Sequence, residues 1–249
     1  MPASGAKASD QLNFYVIPAK AGMTSMVVNE RCDRRCVLKE KADMTTNTPS
    51  ARNTSAAPQF LLDRRSAVPA LIGDHTQFLI VAGLAGTSRD MAALTNDGGH
   101  LYSMAGAMGA AVSIGLGLAL AQPNKRVLVV TGDGELLMNV GALATVAVLN
   151  PPNLGIVCVD NGHYGETGYQ NSHTSLGVDL ETIAIGAGIK ATCTIEREHQ
   201  IAAGSRMLRE SNSTYFVLLR VSCEEPPALK RLMDPAAARV RFRAGLGGN

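Results

Sequence analysis

From residue 59 onward, short apolar runs alternate with longer helix-like runs, and this alternation restricts the fold more than any single motif does. The strand-like runs are "TQFLIVAG" (76–83), "KRVLVVTG" (125–132), "NLGIVCVDN" (153–161), "KATCTI" (190–195) and "TYFVLLRVS" (214–222). Their interiors are apolar at nearly every position, the signature of strands covered on both faces. The segments between them are longer than strands. These are 59–73 with Gly73 near its end and a Pro69 able to kink it, 87–96 with Thr87 or Ser88 as N-cap, 106–122, 135–150 stopped by Pro151 and Pro152, 180–189 and 197–211. Strand and helix in strict alternation give an α/β fold: a three-layer, doubly wound, mostly parallel sheet with helices on both faces.

Composition agrees and removes other classes. Apolar residues make up 46% of the 249 and charged residues 18%, enough for a substantial core. A net charge of +2 is too balanced for a nucleic-acid or membrane-surface protein. The longest apolar run, "MAGAMGAAVSIGLGLALA" (104–121), is marginal in length and rich in glycine, so it reads as a buried helix, not a membrane span. Five cysteines at irregular spacing complete no zinc pattern and point to a reducing, cytoplasmic setting. Residues 1–58 lack a sustained period and a signal-peptide core, and read as a disordered lead-in. Residues 59–228 form the domain, and 229–249 read as a basic, solvated C-terminal tail.

Two strand ends carry the chemistry. Asp133 follows "VLVVTG" within Gly-Asp-Gly, and Asn161 follows "GIVCVD". One helix separates them, so their strands are expected to be neighbours in a crossover unit. Ligands of open parallel sheets bind beyond the carboxyl ends of the strands. Asp and Asn side-chain oxygens plus a backbone carbonyl suit magnesium, which completes its octahedron with phosphate oxygens and water. Gly132 and Gly134 permit close approach of backbone to phosphate, and the helix starting near Glu135 points free amides at it. The second loop, "NGHYGETG", supplies Gly162, Gly165 and Gly168. The pattern therefore expects a diphosphate clamped through magnesium between two loops.

At this point the chain resembles the diphosphate-binding domain of thiamine diphosphate (TPP) enzymes, whose signature is Gly-Asp-Gly followed, one crossover later, by an Asn-Asn turn. Here the first position of that pair is Asp160, a departure, while Asn161 keeps the second. Within the family, "AGAMGAAVSIGLGLALAQP" and "DNGHYGETGYQ" look most like the sulfopyruvate and phosphonopyruvate decarboxylases. The resemblance implies that Asp133 and Asn161 bind Mg2+ through side chains and His163 through its carbonyl. It also implies that Gly134, Glu135, Tyr164 and Gly165 line the diphosphate. Met108 would wedge the cofactor into a V shape, and the Gly106 carbonyl would accept from its pyrimidine amino group.

The family's pyrimidine-activating Glu lies on a separate domain that is absent from this pattern of strands. The resemblance thus implies a half-site needing an alpha-type pyrimidine-binding subunit, and a small 2-oxo acid as substrate. Candidates for contact with that substrate are Arg89, whose guanidinium suits an anionic group, His173 as a proton shuttle, His100 and His163. The competing readings are an acetolactate-synthase-like carboligase, an oxo-acid dehydrogenase subunit, and a non-catalytic degenerate subunit. A nicotinamide fingerprint at "GLGLAL" (115–120) fails, because Leu120 stands where a third glycine or alanine belongs and the run sits inside a helix.

The composition break at Met44, which opens the polar stretch "MTTNTPSARNTSAAP", suggests that translation starts there. Mass spectrometry of the native N-terminus is expected to return Met44 or Thr45. A peptide from within 1–43 refutes that start.

Overall fold

The computed structural model describes residues 59–229 and 232–247. The expectations for 1–58, Met44 included, lie outside the described residues. Six parallel strands form the sheet: β1 (Phe78–Ala82), β2 (Leu101–Ser103), β3 (Arg126–Gly132), β4 (Leu154–Asp160), β7 (Ala191–Ile195) and β8 (Tyr215–Arg220). Two short strands, β5 (His163–Tyr164) and β6 (Gln170–Asn171), make a separate antiparallel hairpin. The sheet order is β2-β1-β3-β4-β8-β7. The chain first steps one way, from β1 to β2, then crosses back to β3 and continues on the other side. The strand order therefore reverses between β1 and β3, which makes the gap beyond their carboxyl ends the switch point where such sheets bind ligands.

The strands alternate between two cores. Leu79, Val81, Val127, Val129, Ile156 and Cys158 face one, together with α3 (Ala111–Ala121), α5 (Ala142–Leu149) and α6 (Leu180–Ala187). Phe78, Ile80, Leu128, Val130, Val157 and Val159 face the other, with α1 (Arg64–Ile72), α2 (Gly86–Thr95) and α7 (Glu198–Glu210). Burial on both faces explains why these strands read as unbroken apolar runs. At Gly115 a Cβ would stand 2.1 Å from Val129 Cγ2, so α3 lies on the sheet at a distance only glycine permits. The "GLGLAL" glycine thus serves helix packing. Among the described residues no helix is long and apolar enough to cross a membrane.

The structure corrects several expectations. The first helix starts at Arg64, because the Asp63 side chain accepts from the Arg65 amide and caps it there. Pro69 sits inside that helix, which runs on to Gly73. Neither Thr87 nor Ser88 caps α2; both lie inside it, and Ala85 occupies the cap with φ 62°. "AGAMG" is a loop before α3, not its first turns. The single helix expected over 135–150 is two, α4 (Asp133–Met138) and α5, broken at Asn139–Gly141. Edge strand β2 is only three residues long and carries no period to detect.

The C-terminal tail is not wholly solvated. Asp234 caps a helix, α8 (Pro235–Gly245), through the Ala236 and Ala237 amides. Ala238 and Phe242 of α8 are buried, and the Phe242 ring meets Tyr102 of β2 edge-on at 5.7 Å. With one apolar face against the sheet edge, Arg239 and Arg243 exposed and Arg241 paired with Asp97 at 3.1 Å, the helix has the composition of a basic tail. Phe242→Ala is expected to destabilise the domain by about 3 kcal/mol, the lower end for a Phe truncation because the ring sits at the core's margin. Urea denaturation measures it, and an unchanged midpoint would mean that α8 does not dock.

Candidate functional site

A cleft of about 250 Å³ opens at the switch point. Its walls come from the β1–α2 connection (Leu84–Thr87), the end of β3 and start of α4 (Gly132–Glu135), the turn after β4 and its hairpin (Asn161, His163–Thr167, Tyr169), and Glu225–Pro226. Parallel register puts these segments at one end: Ala82 aligns with Val130, and Gly132 with Val159. Asp133 and Asn161 thus share one cleft, as the sequence pattern expects.

Asp133 is the first residue of α4 and is buried. Its Oδ2 accepts from Ser172 Oγ, and Thr174 Oγ1 lies 3.2 Å away. Burial raises its pKa above the ordinary carboxylate range. Asn161 follows β4 in an Asx turn, its Oδ1 accepting from the His163 amide at 3.2 Å, and the His163 Nδ1 stands 2.8 Å from the Asn161 carbonyl. At Gly134 a Cβ would lie 2.3 Å from the Tyr164 ring, so that glycine lets the hairpin close over α4.

The Asp160 departure has a partner. Asp160 aligns with Arg220 on the neighbouring strand β8. Its Oδ1 accepts from the Gly162 amide at 3.0 Å and from Thr174 Oγ1 at 2.7 Å, while Oδ2 faces Arg220 Nε at 3.9 Å. Arg220 is itself held by Asp179 at 2.9 Å and by Glu196. Burial first, and then the charge of Asp133, push the Asp160 carboxyl up to about 7.

The residues present fit a divalent cation. Asp133, Asp160, Ser172 and Thr174 make four close oxygen contacts. The two hydroxyls bring only two hydrogens to them. The cluster behind Asp133 is short of positive charge, and the Asp133 carboxylate and Asn161 amide that line the cleft offer hard oxygens of the kind magnesium selects. Among the described residues no three His, Cys, Asp or Glu form a metal cluster, so a metal here would draw further oxygens from Asn161, a backbone carbonyl, water or a bound anion. That anion has a second seat: α2 begins at the cleft with no side-chain cap, leaving its first amides available. The cap, Ala85, has φ 62° and ψ −123°, a conformation costly for a residue with a Cβ.

The other expected residues divide. Gly132, Met108, Tyr164, Gly165 and Arg89 line the cleft. Met108 is 37% exposed at its mouth, in a loop tied to the end of α4 by Asn139 Nδ2 donating to the Gly109 carbonyl at 2.9 Å. Arg89 makes a 3.6 Å ion pair with the exposed Glu225, a contact that an anion can displace. Glu135 also lines the cleft, but its Oε2 accepts from the Leu84 amide at 3.0 Å, so it braces the β1–α2 connection. Gly106 and His173 are not in the wall; His173 Nδ1 lies 3.5 Å from the Tyr164 hydroxyl. His100 stacks on His75 before β2, at the amino ends of the strands and thus away from the cleft.

Sequence reasoning missed Arg64, which lines the cleft and pairs with Asp90 at 2.6 Å, both side chains nearly inaccessible. It also missed Ser172 and Thr174. The hydroxyl-rich "SHTS" was the available signal for the latter. For a pair 26 positions apart, on two helices, no local signal exists.

The family described as thiamine pyrophosphate enzyme, C-terminal TPP binding domain, matches residues 85–219. Sulfopyruvate decarboxylase subunit beta of Methanocaldococcus jannaschii is 42% identical over 116 residues, covering 47% of this chain and 61% of that relative. Phosphonopyruvate decarboxylase of Streptomyces viridochromogenes is 34% identical over 188 residues, covering 73% of this chain and 45% of the relative. The chain thus spans less than two thirds of either relative. Among solved structures, 2-oxoglutarate:ferredoxin oxidoreductase from Magnetococcus marinus superposes with a TM-score of 0.50 at 18% identity, over 74% of this chain and 84% of that one, a likeness of fold.

Breaking the Arg64–Asp90 pair from one side leaves a buried charge uncompensated, so Arg64→Met is expected to cost about 3–5 kcal/mol. Replacing both members with apolar residues is expected to recover most of that loss. Denaturant titration of the single and double variants checks the pair. Equal stability of wild type and Arg64→Met would deny it.

Proposed function

The chain belongs to the thiamine pyrophosphate enzymes, carrying their C-terminal TPP binding domain, and on that premise we propose that it is the diphosphate-binding part of a TPP- and magnesium-dependent 2-oxo acid decarboxylase. The substrate is a three-carbon 2-oxo acid with a sulfonate or phosphonate group, the chemistry named in its relatives. The observation that carries the reading is the shared cleft at the strand-order reversal, with Asp133 and Asn161 on neighbouring strand ends.

In this reading Asp133, Asn161 and the His163 carbonyl hold Mg2+, which binds the diphosphate. Gly132, Gly134, Tyr164 and Gly165 surround that diphosphate, and Met108 stands under the cofactor's bend. The bound cofactor supplies a carbon nucleophile and an electron sink for the departing carbon dioxide. The chain's own residues hold and orient it. Arg89 exchanges its exposed Glu225 partner for the substrate's anionic group. His173, beside Tyr164 at the hairpin's rim, handles a proton. Gly106 offers its carbonyl to the pyrimidine from the exposed loop before α3.

A partner chain supplies the activating carboxylate and the opposite wall, hence a hetero-oligomer. Two observations support this. The first relative is named as a beta subunit. The cleft, at about 250 Å³, falls below the roughly 300–1,000 Å³ of complete small-molecule sites. The free thiols Cys158, Cys193 and Cys223 agree with a cytoplasmic setting. The carboligase, dehydrogenase and degenerate-subunit alternatives have no observation of comparable weight.

Asp133→Ala is expected to abolish magnesium-dependent TPP binding while keeping the fold, since it removes a carboxylate whose burial is unfavourable. Calorimetric titration of TPP and Mg2+ into the chain, alone and with a pyrimidine-domain partner, reads this out. Normal binding by the variant would refute the site.

A further inference from the structure

The segment after Asn161 leaves the sheet and comes back to it. It runs through the β5–β6 hairpin, in which His163 pairs with Asn171, and the Ser172 amide donates to the Gly162 carbonyl at 2.7 Å. Ser172 and Thr174 then enter the interior beside the strand ends, 0% and 1% exposed. Nothing apolar in the chain's patterning requires two hydroxyls there. Their neighbours do: Ser172 Oγ and Thr174 Oγ1 converge on the same oxygen of Asp133, and Thr174 Oγ1 also reaches Asp160 Oδ1 at 2.7 Å. The two hydroxyls are 2.9 Å apart.

We propose that Ser172 and Thr174 are positioning residues for the metal-binding carboxylate, an inference that rests on the magnesium–diphosphate reading of the site. Ser172 Oγ donates to Oδ2 and stops the Asp133 carboxylate from rotating, while Thr174, whose hydroxyl donates to Asp160 Oδ1 at 2.7 Å and stands 2.9 Å from Ser172 Oγ, holds that hydroxyl in place. Because they sit on the same segment as Asn161, they also tie the turn that bears the second ligand to the end of β3. The pair therefore couples two ligands that come from different strands. Outer partners of this kind typically carry about 10–100-fold in metal affinity. A residue that serves only to fold the 172–176 turn would lower thermal stability and leave metal affinity in the folded protein unchanged.

The test uses the full chain, with Mn2+ and inorganic pyrophosphate as probes and the free Mn2+ electron-paramagnetic signal as readout, so no catalysis is required. Thr174→Val keeps the shape and removes the hydroxyl; Thr174→Ser keeps the hydroxyl; Ser172→Ala removes the other. Thr174→Val and Ser172→Ala are expected to weaken Mn2+–pyrophosphate binding about 10–100-fold. Thr174→Ser is expected to stay within about threefold of wild type. Circular dichroism follows folding, and if Thr174→Val does not fold, Ser172→Ala decides. Wild-type affinity in the folded hydroxyl-less variants, with binding lost in Asp133→Ala, overturns the positioning role and leaves the site reading intact. An equal loss in Thr174→Ser and Thr174→Val also overturns it, because the hydroxyl would then be irrelevant. Undiminished binding in Asp133→Ala, or none in the unaltered chain, overturns the site reading and the inference with it.

Discussion

Everything polar in this domain depends on one constraint: the central strands of a parallel sheet buried on both faces. Within β1, β3 and β4 almost no side chain can carry a charge, because each face is closed by helices. Polar chemistry is confined to the strand ends, and strand order decides which end matters. The reversal between β1 and β3 opens the cleft. Parallel register then delivers Gly132 and Val159 to the same level, with Asp133 and Asn161 just beyond.

Electrostatics refine what topology starts. Two carboxylates, Asp133 and Asp160, are held close in a buried site with hydroxyls between them and Arg220 behind one. That arrangement costs stability in isolation, since both groups are pushed toward their neutral forms by burial. Sites that hold cations tolerate such crowding because the ion restores the balance. The same logic applies at Ala85, where a conformation unfavourable for alanine leaves the start of α2 open to the cleft.

The sheet was legible in the sequence because a strand buried on both faces writes its whole length in apolar letters, as in "GIVCVD". The helices were legible in kind but not in their limits. Asp63 moves one start by five residues from the expected 59, and Asn139–Gly141 breaks another helix through a turn that apolar periodicity does not register. β2 and α8 were missed for a shared reason: each takes its place through distant contacts, β2 by pairing with β1 and α8 by setting Phe242 against Tyr102. At the site, Asp133, Asn161 and their glycines announced themselves through local spacing. Arg64–Asp90, Asp160–Arg220 and Ser172–Asp133 are contacts between distant positions, which only the folded chain brings together.

The Asp160–Arg220 alignment bears on how such sites are recognised. The two residues are direct neighbours on adjacent strands, so the first letter of the Asn-Asn signature lies 3.9 Å from the charge at the last letter of β8. A search that demands the literal signature would pass over this chain, although its second position, Asn161, is unchanged. Reading the two positions together, as a neutral amide alone or an acid with an adjacent base, would recover it. It would also sort relatives by the charge stored behind the turn that follows β4, a property that the motif as usually written does not encode.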